Sequence, residues 1–170
     1  MIVGVDIGGT NIRAGVISLN LKRAKDLSKA EVWKAELWRH AEQKLKRDDA
    51  VEGLVEMLEK LIGRAEKEKL RLAPFIGIGC PGKIDTDGSI QSGAQNLPGN
   101  WESDNFNLPA SIRRAIPRIG DHETMVLLHN DAVVQGLSEV PFMQDVTRWG
   151  VFTIGTGLGN ACFTNRAEKD

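Results

Sequence analysis

The sequence predicts an α/β fold, with a mixed five-stranded sheet over residues 1–147 and a further hairpin within 148–170. Three observations carry this. Two short apolar strands meet at Gly8-Gly9, and a third strand leads into one long amphipathic helix. Two further apolar strands then follow, each running toward a helix, before a last strand reaches a second glycine-rich turn. Three strands in a meander, with later strands added in parallel through helical crossovers, account for that order. Order alone specifies α/β and no more.

The elements follow in sequence. Ile2, Val3, Val5 and Ile7 form a first strand that stops at Asp6-Ile7-Gly8-Gly9-Thr10, and Ile12 to Leu19 form the second. Lys22 to Lys29 is a charged surface turn, and Ala30 to Leu37 alternates well enough for a third, antiparallel strand. Trp33 and Trp38 are assigned to packing. Asp48 or Asp49 is expected to cap a helix with apolar residues at Val51, Leu54, Val55, Leu58, Leu61, Ile62 and Ala65, the i, i+3, i+4, i+7 spacing of one buried face. Phe75 to Gly79 is a short buried strand running into Cys80-Pro81-Gly82, and Lys83 to Ile90 reads as a hairpin about an Asp-Gly turn. Gly77, Gly79 and Gly82 match Gly-x-Gly-x-x-Gly, but a dinucleotide-binding fingerprint needs a helix opening at the glycines, and here Pro81 and a hairpin follow. Gly93 to Pro109 reads as a long loop, of the length that is usually functional or mobile. Ser111 to Ile116 reads as a short helix, Met125 to Leu128 as a strand ending at His129-Asn130-Asp131, and Ala132 to Val140 as a helix. Gly150 to Ile154 is a final strand, and Asn160 to Thr164 is its hairpin partner beyond Gly155-Thr156-Gly157-Leu158-Gly159.

Composition narrows the partners. Lys plus Arg number 22 against 23 Asp plus Glu, so no general nucleic-acid or membrane-surface binding is expected. Two cysteines, Cys80 and Cys162, make neither a disulfide framework nor a metal pattern, and both are expected to be small buried residues. No signal peptide or membrane span is read, and the chain is expected to be cytoplasmic. His40 and His122 sit among charged, exposed-looking neighbours and receive no role.

Chemistry concentrates in four places. At Asp6 to Arg13, glycine lets backbone N–H groups come close to an anion, and the strand-end carboxylate of Asp6 suits a hydrated Mg²⁺. The others are Cys80-Pro81-Gly82, Asn130-Asp131-Ala132, and Gly155 to Gly159. Each alone has a plain alternative: a tight turn for either glycine loop, and a helix cap for Asn130-Asp131. In this order and spacing, over essentially all 170 residues, they resemble the ROK family of sugar kinases, to which many bacterial glucokinases belong.

The resemblance implies an actin-like (ribonuclease H-like) ATPase fold, with residues 1–147 as its N-terminal lobe and 148–170 as the truncated start of a second lobe. It also implies ATP- and Mg²⁺-dependent phosphorylation of a hexose or N-acylhexosamine at a primary hydroxyl. It implies Asp131 as the base taking the proton of the attacking hydroxyl and Asn130 as a sugar ligand. Gly8, Gly9, Thr10 and Asn11 would clamp the ATP phosphates together with Gly155, Thr156, Gly157 and Gly159, and Asp6 would orient Mg²⁺ through water. Gly82 would approach a sugar hydroxyl through its backbone. Asn96, in an Asn-Leu-Pro-Gly string that resembles the family's with Asn100 inserted before Trp101, is either a sugar ligand or a turn residue. A homo-oligomer is implied for the full-length form.

The sequence also departs from the family. His129 stands where a Glu is usual before Asn-Asp, and Asn160 replaces a further glycine of the second loop. The family's second-lobe Glu and His sugar ligands, its Cys-x-Cys-Gly zinc cluster and its adenosine-binding segment are not in these residues, so no zinc is expected. A lone hairpin after residue 150 has open edges and is marginal in water, so the chain is expected to be a fragment or to associate with something that covers it. The alternative reading is a non-catalytic sugar-sensing or scaffold protein derived from a kinase lobe. ROK regulators carry a helix-turn-helix ahead of the kinase-like region, and the start at Met1 is expected to leave no room for one.

Overall fold

The computed structural model describes residues 1–166; residues 167–170, the end of the segment assigned to the second lobe, lie outside the described residues. The elements in order are β1 (Ile2–Ile7), β2 (Ile12–Ser18), β3 (Glu31–Trp38), α1 (Arg47–Lys67), β4 (Phe75–Cys80), β5 (Lys83–Ile84), β6 (Ile90–Ser92), α2 (Leu108–Ala115), β7 (Arg118–Ile119), β8 (His122–Glu123), β9 (Met125–Asn130), α3 (Asp131–Glu139), β10 (Arg148–Ile154) and β11 (Leu158–Thr164).

Five strands form the main sheet in the order β3-β2-β1-β4-β9. β2 runs antiparallel to β1 and β3, whereas β1, β4 and β9 are parallel, joined through α1 and α2. Alternation decides the faces. Val3, Val5 and Ile7 of β1, Ile76 and Ile78 of β4, and Val126 and Leu128 of β9 are buried together with Leu54, Leu58 and Leu61 of α1 and Ile112 of α2. α3 lies on the opposite face, where a Cβ at Gly79 would come within 3.7 Å of Asp131 and Val134.

Several element boundaries correct the sequence reading. Lys46, not Asp48 or Asp49, stands at the N-cap position of α1 and makes no side-chain cap bond; Asp49, three residues inside, supplies the terminus with a carboxylate that accepts from the Lys46 amide at 2.8 Å. α2 begins at Leu108, three residues before the expected Ser111, because Asn107 caps it at the Ala110 amide and Pro109 fits the first turn. β7 and β8 make a small hairpin that the sequence reading left out. Trp33 and Trp38 pack against the core as expected. Glu36 ties β3 to α1 by accepting from Lys60 at 2.9 Å and Arg64 at 2.5 Å, and these cations hold its carboxyl below the ordinary Glu value, with the Lys60 hydrogen bond the larger cause.

The segment between β6 and α2 is long but not loose. Trp101 is only 1% exposed, stacks edge-on against Phe106 with ring centroids 5.5 Å apart, and donates its indole N–H to the Pro98 carbonyl at 2.7 Å. Burying that indole stabilises the loop by about 3 kcal/mol. No helix among the described residues is long and apolar enough to cross a membrane.

Candidate active site

The parallel strands all deliver their carboxyl ends to one edge of the sheet, the usual binding edge of such sheets. Asp6 pairs with Gly79, and Gly79 with His129, so the ends of β1, β4 and β9 lie side by side. There a cleft of 630 Å³ opens, and every site residue named from the sequence lines it: Asp6, Gly8, Gly9, Thr10, Asn11, Gly82, Asn96, Asn130, Asp131, Gly155, Thr156, Gly157 and Gly159. Arg13, Gln95, Thr153 and Asn160 line it too, without having been assigned roles.

The first loop is a closed turn in which the Gly8 amide donates to the Asn11 carbonyl at 2.8 Å. Arg13, opposite Asp6 on β2, binds the Asp6 carboxylate at 2.8 Å, and both side chains are about half exposed. One Asp6 oxygen is therefore engaged, and the other makes no hydrogen bond among the described residues. Among the described residues no three His, Cys, Asp or Glu side chains are grouped to hold a metal ion. A single half-exposed carboxylate fits a hydrated Mg²⁺ held through water, because Mg²⁺ keeps most of its own water shell.

His40 overturns the exposed, roleless reading given to it. It is 1% exposed and lies behind the first loop, with Nε2 2.8 Å from the Gly8 carbonyl oxygen. No local pattern marks it in the sequence; the contact joins residues 32 positions apart.

Asn130 is committed on three sides. Its Oδ1 accepts from the Ala132 and Val133 amides at 3.0 and 3.2 Å, capping α3, while Nδ2 donates to the Gly82 carbonyl at 2.9 Å. A carboxamide has two N–H donors, so one remains for a ligand. The capping alternative is thus realised at Asn130 itself. Asp131 is the first residue of α3, and its Oδ1 accepts from the next amide, Ala132, at 2.8 Å. Gly82 has φ +112°, and a Cβ there would lie 2.6 Å from the Ser92 carbonyl oxygen, a place only glycine fills without strain.

The second glycine loop joins β10 to β11 and faces the first. A Cβ on Gly9 would sit 3.3 Å from the Thr156 side chain and 3.0 Å from Asn96. Asn96 therefore stands where the two loops meet, with its Nδ2 3.6 Å from the Cβ position of Gly157. The hairpin rests on α3: Phe163 packs over Gly136, and Trp149 stacks on Phe163 at 4.4 Å. Its other face is open, with Phe152 73% and Ile154 86% exposed, and it forms its own two-stranded sheet.

The cysteines separate. Cys80 is buried as expected, and burial, followed by the nearby Asp131 and Asp6 carboxylates, drives its thiol pKa well above the ordinary value. Cys162 is exposed, which corrects the buried reading: it alternates onto the open face of β11. Ellman's reagent is expected to modify one thiol per folded chain and two after denaturation. Two fast thiols in the native protein would contradict this arrangement.

This mixed sheet, with two glycine loops facing each other over its carboxyl edge, has the actin-like ATPase fold of its solved structural relatives. The chain belongs to the ROK family, which its residues 2–168 match. The glucokinase of Thermotoga maritima is 30% identical over 168 residues, covering 96% of this chain and 44% of that protein. The chain thus spans less than half the length of that relative. A ROK family glucokinase from Streptomyces griseus, solved with glucose and AMPPNP, superposes with a TM-score of 0.70 at 21% identity, over 96% of this chain and 44% of that one. A ROK family transcriptional regulator homologous to the Mlc protein of E. coli also gives 0.70, at 19% identity, over 96% of this chain and 36% of its own length. At such identities these two structures establish the fold.

Proposed function

We propose that the chain is the N-terminal lobe, residues 1–147, and the start of the second lobe, residues 148–170, of an ATP- and Mg²⁺-dependent sugar kinase acting on a primary hydroxyl of a hexose or N-acylhexosamine. The observation that carries the reading is the convergence of four separated motifs on one cleft, with the two glycine loops facing each other so closely that a Cβ on Gly9 would lie 3.3 Å from the Thr156 side chain. The 30% identity to a glucokinase supports the same activity, and the AMPPNP and glucose of the S. griseus relative support the pair of substrates.

Phosphoryl transfer passes through a loose transition state, so the protein's work is positioning and charge stabilisation. Bound Mg–ATP supplies the transferred group. In this reading loops 8–11 and 155–159 hold its phosphates through the amides not already bonded within each turn, as Gly8's is to Asn11 and Gly155's to Gly157. Arg13 adds a cation beside them, and Asp6 is the carboxylate that would hold the ion's water shell. Asn130, with its remaining N–H, and the Gly82 backbone fix the sugar. Asp131, at the start of α3, accepts the proton of the attacking hydroxyl.

The equal structural likeness to a ROK regulator supports a second reading, a non-catalytic sugar-sensing or scaffold lobe. Incubating the full-length gene product with Mg–ATP and a panel of hexoses and N-acylhexosamines separates the two. The kinase reading expects ADP and phosphosugar in equal amounts with at least one sugar. Sugar binding without ADP would leave the sensor.

A further inference from the structure

We infer that His40 is a positioning residue that turns the first glycine loop's amides toward the phosphates. The inference rests on the reading of residues 8–11 as a phosphate loop and adds to it a side chain outside the cleft.

A trans peptide is planar, with its C=O and N–H pointing in opposite directions. His40 Nε2 lies 2.8 Å from the Gly8 carbonyl, and the next amide, Ala41, donates to the Thr10 carbonyl at 3.3 Å. Two loop carbonyls are thus drawn back toward the turn at residues 40–42. The amides sharing those peptide planes, Gly9 and Asn11, are thereby aimed the other way, into the cleft that both residues line. Neither amide donates to a protein acceptor among the described residues. Successive free N–H groups aimed at one point form an anion-binding concavity.

The chemistry of the contact fixes the ring. A carbonyl only accepts, so Nε2 carries a proton in this contact, while Nδ1 is buried and has no hydrogen-bond partner among the described residues. The Trp38 ring stands edge-on to the imidazole, with centroids 6.1 Å apart, and limits its rotation. Without His40 the Gly8 carbonyl would lose its partner, and the Gly8–Gly9 plane, having no side chains, would be free to turn the carbonyl toward the anion.

The test is a titration of the ¹⁵N-labelled chain with inorganic tripolyphosphate and Mg²⁺, followed at the Gly9 and Asn11 amides. The wild type is expected to show saturable shifts there. His40→Phe, which keeps the ring but has no donor, is expected to bind about tenfold more weakly. His40→Gln, whose Nε–H can reach the same carbonyl, is expected to stay within about threefold of wild type. Rescue by the amide is what a merely space-filling role would not give. Equal affinity in all three proteins overturns the inference and leaves the phosphate-loop reading standing. No shift at Gly9 and Asn11 in the wild type overturns that reading and the inference with it. Should His40→Phe not fold, the imidazole nitrogen spectrum of the wild type decides: a proton on Nε2 supports the inference, and a proton on Nδ1 with Nε2 bare overturns it.

Discussion

Replacing Asp131 by Asn in the full-length gene product is expected to lower sugar phosphorylation by about 10²–10⁴-fold, the usual worth of a positioned general base. The fold should tolerate it. Asp131 serves the structure only by accepting the Ala132 amide through Oδ1, and an Asn side chain keeps an oxygen there. What disappears is the capacity to take a proton. Sugar affinity should therefore stay near wild type while turnover falls, a split that steady-state kinetics with a direct sugar-binding measurement would show. Preserved turnover with weakened sugar binding would make Asp131 a ligand and leave the base unassigned.

Gly82→Ala is expected to be the most damaging single-methyl change, costing about 3 kcal/mol and about 10 °C in Tm. Two penalties add at one atom: φ of +112°, and a new Cβ 2.6 Å from the Ser92 carbonyl oxygen. Relieving the contact would move the Gly82 carbonyl, which is the acceptor for Asn130 Nδ2. The side chain that caps α3 would then lose its third bond. Gly63→Ala is the natural comparison, since a Cβ there meets nothing within 4 Å and the site lies inside α1. That change should raise stability by about 0.5–1 kcal/mol. Similar thermal melts for the two variants would sink the account of Gly82.

The lining of the candidate cleft was legible because it is written in short strings. Asp6 to Asn11 and Gly155 to Gly159 are each local turns, one after β1 of the main sheet and one after β10 of the separate hairpin, and both line the same cleft. Parallel strands put their carboxyl ends together, so motifs distant in sequence converge once the topology is right. The mixed five-stranded sheet was legible from its meander followed by crossovers, while the side on which β4 and β9 add came from the structure. Contacts made across the fold were not. Nothing near His40 states that Gly8, 32 residues earlier, would be its partner. Cys162 was misread because exposure on a hairpin depends on which face packs, and α3 settles that through Phe163 and Gly136. The start of α2 was readable and missed: Asn107 followed by Pro109 is a cap and a first turn, a signal that the surrounding loop composition hid.

The hairpin of β10 and β11 rests on α3 near its far end, at Phe163 over Gly136 and Trp149 stacked on Phe163. From Phe163 back to Thr156 the strand and turn extend roughly 20 Å at the rise of a β-strand. The arrangement is a lever with its fulcrum on a residue that has no side chain. A tilt of about 5° at the fulcrum displaces the glycine tip by about 2 Å over that arm. Only the missing Cβ of Gly9 separates the two loops, since one there would lie 3.3 Å from the Thr156 side chain, so a displacement of that size changes by a large fraction the room left between them for a phosphate oxygen.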